Sequence, residues 1–137
     1  MAINSRTKGA AFERLIVRKI NECLEQEGIE DRVSRNFDQS WKGGLADIYY
    51  RNFAIECKRY KNNKTNMYKQ SWWDQVVASA GDKYIPLLIY KFDRKPIYAV
   101  IPAYLVSNAP EHYQVTYMCP LEDLCKDIKN ILRKANV

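Results

Sequence analysis

Three side chains capable of joint chemistry lie within the stretch "GGLADIYYRNFAIECKRY": Asp47, Glu56 and Lys58. Glu56 and Lys58 are two residues apart in a run that reads as a strand, so both project from the same face. Burying two such charges costs several kcal/mol unless something compensates them. If the strands on either side of Arg51-Asn52 pair, Asp47 arrives at the same end of the sheet as Glu56 and Lys58. Two carboxylates then converge, and a shared proton or a bound divalent cation relieves their repulsion. In an otherwise basic chain, a hard cation held by Asp47, Glu56 and a backbone carbonyl is the coherent reading. Mg²⁺, with Mn²⁺ as a possible substitute, suits such a set because it retains waters and shares its shell with phosphate oxygens. The chemistry expected is phosphodiester hydrolysis, with the Lys58 ammonium orienting or helping to deprotonate the attacking water.

These residues need elements to hold them. From Arg6 to Glu27 the apolar residues Phe12, Leu15, Ile16, Ile20, Cys23 and Leu24 recur at helical spacing, with Ser5 or Thr7 able to cap the start and Gly28 the end. Glu13 falls on the margin of that stripe and can look inward. Strands are expected over about 32–38, 45–51 and 53–60, joined by a turn at Gly43-Gly44 and a tight reversal at Arg51-Asn52 into an antiparallel meander. The polar "YKNNKTNMYKQ" reads as an exposed connection, and "SWWDQVVASAGDK" as a second helix with Ser71 as a possible cap. "YIPLLIYKF" is apolar enough for a central strand with "KPIYAVIP" beside it. "PAYLVSN" reads as a helical turn, "YQVTYMC" as a short last strand, and "LEDLCKDIKNILRKA" as one terminal helix. The order implies an α/β domain, a mixed central sheet flanked by helices, spanning residues 1–137 as a single unit.

The pattern resembles the PD-(D/E)XK nuclease superfamily. Asp47, then eight residues, then Glu56-Cys57-Lys58 matches its metal-binding Asp and E-x-K elements, with the carbonyl of Cys57 as a further ligand. Ala46 stands where the literal motif has proline. Within the superfamily the chain is most similar to archaeal-type and phage Holliday junction resolvases. "SRTKGAAFERLIVRKI" resembles their first helix, whose active-site glutamate corresponds to Glu13, and "SAGDKYIPLLIYKF" resembles their helix-to-strand passage. The likeness covers about residues 5–101 and implies a restriction-endonuclease-like core. It also implies catalytic roles for Glu13, Asp47, Glu56 and Lys58, metal ligation by Asp47, Glu56, Cys57 and Glu13, and DNA contact along the first helix through Arg6, Lys8 and Arg14. Gln75 matches a glutamine that several members carry near the active site. The expected activity is a Mg²⁺-dependent endodeoxyribonuclease acting on branched DNA as a homodimer.

Composition agrees without deciding. The chain has 22 Lys and Arg against 16 Asp and Glu, a net charge of +6 that favours a polyanionic partner. Arg59, Lys61, Lys64 and Lys69 interleave with Tyr60 and Tyr68 directly after the catalytic strand, as a phosphate-tracking segment requires. No run of 18 apolar residues occurs, and the first residues lack the apolar core of a signal peptide, so a cytoplasmic protein with no membrane association is expected. The four cysteines are scattered singly and read as reduced core thiols.

The bland alternatives are a solvated edge strand for Glu56 and Lys58, a surface carboxylate for Glu13, a surface amide for Gln75 and a turn cap for Asp38. Trp72 and Trp73, being adjacent, point to one core residue and one residue free for a dimer interface or a base. Competing functions are a homing or restriction-like endonuclease reading duplex sequence, and a non-catalytic DNA-binding module.

Overall fold

The apolar stripe of the first helix is real, and its end follows from a single glycine. In the computed structural model, which describes residues 5–36, 45–61 and 64–136, α1 spans Ser5–Gln26 and buries Phe12, Ile16, Cys23 and Leu24. Gly28 takes φ 72°, which lets its N–H donate to the Glu25 carbonyl at 3.1 Å while that of Ile29 donates to Leu24 at 2.8 Å. This is the Schellman arrangement, and only glycine enters it without steric cost.

Among the described residues five strands form one mixed sheet in the order β1-β2-β3-β4-β5: β1 Ile48–Tyr50, β2 Phe53–Tyr60, β3 Ile85–Phe92, β4 Ile97–Pro102 and β5 Thr116–Pro120. The β1–β2 hairpin closes at Arg51-Asn52, with Tyr50 opposite Phe53. Arg51 is left-handed there (φ 52°) and is held by a 2.8 Å ion pair with Asp31. β2 and β3 run parallel, with Glu56, Lys58 and Tyr60 beside Leu88, Tyr90 and Phe92, and β3–β4–β5 continue antiparallel. The parallel step requires a crossover, supplied by α2, Gln70–Ala80. A 3₁₀ turn at Ala103–Leu105 precedes β5, and α3 Leu121–Lys126 and α4 Ile128–Ala135 end the chain.

The sheet has two packed faces. One carries the larger core, where Ile55, Leu87, Ile89 and Ile101 meet Phe12 and Ile16 of α1 and Leu121, Leu124 and Ile131 of the terminal helices. The other is aromatic, with Leu88, Tyr90, Phe92 and Val100 packed under Trp72, Trp73 and Val76 of α2. No helix among the described residues is long and apolar enough to cross a membrane.

Several expectations need correction. The leading strand over 32–38 is not formed among its described residues, which contribute only an isolated bridge between Arg35 and Ile48, so the meander reduces to a hairpin. At Val33 the Asn21 side chain both donates to the carbonyl (3.1 Å) and accepts from the N–H (2.8 Å), taking the groups a ladder would have used at that position. The Gly43-Gly44 turn lies outside the described residues. Ser71 is inside the first turn of α2, because Lys69 occupies the cap position in extended conformation. The expected terminal helix is two helices, since Asp127 (φ −108°, ψ 11°) interrupts the spiral.

Both tryptophans are core. Trp72 and Trp73 are 4% and 3% exposed, because α2 lies flat on a sheet face broad enough to receive two adjacent rings. Trp72 packs 5.8 Å from Phe92 and 5.9 Å from Tyr90, while Trp73 donates its indole N–H to the Tyr113 carbonyl at 2.9 Å. Trp73→Ala is therefore expected to cost about 3–5 kcal/mol of stability, readable as a lower denaturant midpoint.

Candidate active site

The hairpin register decides what meets what. With Ile48 opposite Ile55, the next residue outward, Asp47, faces Glu56. Asp47 is 6% exposed and Glu56 2%, and they are the two charged residues buried among the described residues. The Asp47 carboxylate accepts the Cys57 backbone N–H at 2.8 Å, an anchor that fixes its orientation. Its backbone is also held, since its carbonyl accepts the Asn36 N–H at 2.8 Å.

Glu56 lies against the far end of α2, where Ser79 Oγ donates to its Oε1 at 3.2 Å. Burial, repulsion from Asp47 and a hydrogen bond shared with Asp47 push the Glu56 carboxyl up to about 8, against the opposing pull of the Lys58 ammonium and Ser79. The two carboxyl groups are thus close enough to share a proton, and ionising both calls for a cation between them. Lys58, half-buried, stands on the same face two residues along β2.

Glu13 approaches from α1, which packs on the other sheet face. Burial first, then repulsion from Asp47, raises its carboxyl above the usual range, while Arg35, at 3.4 Å from Oε1, opposes the shift. The structure thus brings Glu13 into the electrostatic field of Asp47. Among the described residues no three Asp, Glu, Cys or His side chains converge tightly enough to hold one ion directly. The side-chain donors in mutual contact are Asp47 and Glu56. Buried, partly repelling carboxylates with a lysine beside them are a chemically sound donor set for a hard divalent cation, so the residues fit the group.

The Cys57 thiol belongs to the apolar side of the sheet, where burial raises it well above the ordinary thiol range, so its side chain is no ligand in that state. Gln75 is exposed on α2, one turn before Ser79, and the α2 side chain that bonds Glu56 is Ser79. Ser79 and Arg35 are the neighbours that reading the sequence missed. Ser79 stands four residues after Gln75, so the helix face was legible although the residue was not. Asp38 lies outside the described residues.

The basic residues divide. The backbones of Arg6 and Lys8 are in α1, but their side chains lie outside the described set, and Arg14 is exposed. Arg59, expected to act with its neighbours in sequence, points to the opposite sheet face from Lys58 and pairs with Asp93 at 3.2 Å. It lines a groove of about 410 Å³ with Phe12, Leu15 and Arg94. Lys61, Lys64 and Lys69 are exposed beyond the end of β2.

No curated protein matches the chain. Among solved structures, the Hjc Holliday junction resolvase of Archaeoglobus fulgidus superimposes with a TM-score of 0.49 at 16% identity, over 90% of this chain and 98% of that one. The family model described as "Phage putative PDDEXK endonuclease" matches residues 4–131, a span that takes in nearly the whole chain, and the protein belongs to that endonuclease family.

Proposed function

We propose that the protein is a divalent-cation-dependent endodeoxyribonuclease, using Mg²⁺ with Mn²⁺ as substitute, and that its substrate is branched DNA of the four-way-junction kind. The observation that carries the nuclease reading is the buried Asp47–Glu56 pair with Lys58 on the same face. A cation bound there would supply charge neutralisation at the scissile phosphate and a more acidic water. Asp47, oriented by the Cys57 N–H, and Glu56, oriented by Ser79, would hold it, with the Cys57 carbonyl as a third donor. Glu13 acts at one remove, through a water, because Arg35 engages its carboxylate. Lys58 positions the attacking water and balances the developing negative charge. Arg6, Lys8, Arg14, Arg59, Lys61, Lys64 and Lys69 contact the phosphate backbone, and Gln75, exposed on α2 one turn before Ser79, is a further polar group for the site.

The branched substrate is supported by the likeness of "SRTKGAAFERLIVRKI" and "SAGDKYIPLLIYKF" to archaeal-type resolvases. A homodimer suits the near two-fold symmetry of a junction, offering one site to each of two opposed strands. Cytoplasmic action suits its four free thiols. Incubating purified protein with matched junction and linear duplex in Mg²⁺ tests this reading. Paired symmetric nicks confined to the junction are expected. Site-specific cutting of the duplex would favour a restriction-like enzyme, and binding without cutting in either metal would reduce the protein to a DNA-binding module.

A further inference from the structure

Tyr60 ends the row that starts at Glu56 and passes through Lys58, all three on the α2 face of β2. At a strand rise of about 3.3 Å per residue its Cα is some 7 Å beyond that of Lys58 and 13 Å from that of Glu56, a span of about four stacked nucleotides. Tyr60 is 45% exposed, whereas Trp72 behind it is 4% exposed. The two rings stack, with centroids 4.9 Å apart and planes 25° apart. Trp72 is in turn fixed against Tyr90 and Phe92, so the exposed ring rests on a rigid aromatic column.

Lys69 completes the arrangement. Its ammonium is 5.2 Å from the Tyr60 centroid and 5.8 Å from that of Trp72. With the rings 4.9 Å apart, these distances set the ammonium about equally far from both rings, so it does not lie beyond Tyr60 on the line from Trp72. A half-exposed aromatic ring with a fixed backing and a cation about 5 Å from its centre matches what a nucleotide presents, a flat base and an adjacent phosphate.

We propose that Tyr60, backed by Trp72 and flanked by Lys69, is a stacking platform for an unpaired nucleobase of the DNA strand lying across the site. The proposal rests on the nuclease reading for the identity of its ligand, and it assigns a source of preference for branched over continuous DNA. A paired base keeps both faces in the duplex stack and gains nothing from Tyr60. A base freed at a junction or gap stacks on the ring, while Lys69 meets its phosphate. Tyr60 is thus a substrate-positioning residue that takes no part in the chemistry.

The test uses DNA carrying 2-aminopurine either at an unpaired position beside a branch or fully paired in a duplex, bound by wild type, Tyr60→Phe and Tyr60→Leu in EDTA. Leucine keeps Trp72 covered while removing the ring. Wild type and Tyr60→Phe are expected to quench the unpaired fluorophore. Tyr60→Leu should lose the quench and bind the branched DNA about 5- to 100-fold more weakly, with unchanged affinity for duplex and an unchanged salt slope. Under Mg²⁺ the same variant should raise KM for branched DNA and leave kcat near wild type. Quenching and affinity by Tyr60→Leu equal to wild type would overturn the platform even if cleavage is confirmed. Quenching by a wild-type protein that cuts nothing would retain the platform and remove the nuclease.

Discussion

Glu56→Gln should abolish DNA cleavage in Mg²⁺, by about 10³-fold or more, while leaving the fold as stable as wild type or more so at neutral pH. The loss follows from removing one of the two contacting carboxylates that would hold the cation. Deleting even a single group that stabilises transition-state charge typically costs about 10²–10³ in rate. Glutamine is nearly isosteric and can still accept the Ser79 hydrogen bond (3.2 Å in wild type), but it carries no charge to repel Asp47. Lys58→Ala should lose activity comparably, through the water and the developing charge. Asp47→Asn should do so with some loss of stability, because a weaker acceptor would face the Cys57 N–H. Single-turnover cleavage beside thermal melts separates the two effects. A Glu56→Gln protein that is fully folded and cuts at even a tenth of the wild-type rate would remove Glu56 from the chemistry.

Divalent cation should stabilise the protein far more at high pH than at low pH. In the folded, cation-free state the Glu56 carboxyl is raised from 4.5 to about 8, chiefly by burial and then by Asp47, with Lys58 and Ser79 opposing. A raised carboxyl means that the folded state holds a proton the unfolded state has released. Its contribution to stability is complete below about pH 4.5, falls as the pH rises and is gone above about 8. Each unit of such a shift is worth about 1.4 kcal/mol, so the decline is on the order of a few kcal/mol and several degrees in Tm. A cation binds the ionised pair, so it competes with that proton and restores stability where the proton is absent. The expected melts in EDTA show Tm falling between pH 6 and 8.5, and the Mg²⁺- or Mn²⁺-induced rise is larger at pH 8.5 than at 6. Glu56→Gln should flatten both dependences. An unchanged pH slope in that variant would mean that the loss of stability comes from another group.

Much of this site is legible in the amino-acid sequence, and the reason is periodicity. Strand alternation alone places Glu56 and Lys58 on one face, and the two-residue reversal at Arg51-Asn52 sets Asp47 opposite Glu56 once the hairpin pairs. The Asp-x8-Glu-x-Lys spacing is therefore a statement about geometry as well as about family. The apolar stripe of α1, its end at Gly28 and the central position of β3 were legible for the same cause, since local repeats and turn chemistry are written in neighbouring residues.

Contacts made across the chain were not legible. Ser79 reaches Glu56 because α2 descends over β2 with Trp72 at the Tyr60 end and Ala80 at the Ala54 end, a placement set by the crossover between parallel strands. Arg35 reaches Glu13 over 22 positions, and Asn21 occupies the backbone of Val33 that was expected to join a strand. The burial of both tryptophans depended on the width of the aromatic sheet face beneath them, and the break at Asp127 on how the terminal helices meet the sheet. The amino-acid sequence by itself determined which groups are present, their strand or helix period, and the carboxylate pair and lysine that make hydrolysis of a phosphodiester reasonable. Tertiary structure alone decided how far those carboxylates leave water, which partners orient them, and that Tyr60 stays half exposed against a buried Trp72, because desolvation and contact depend on residues distant in the chain.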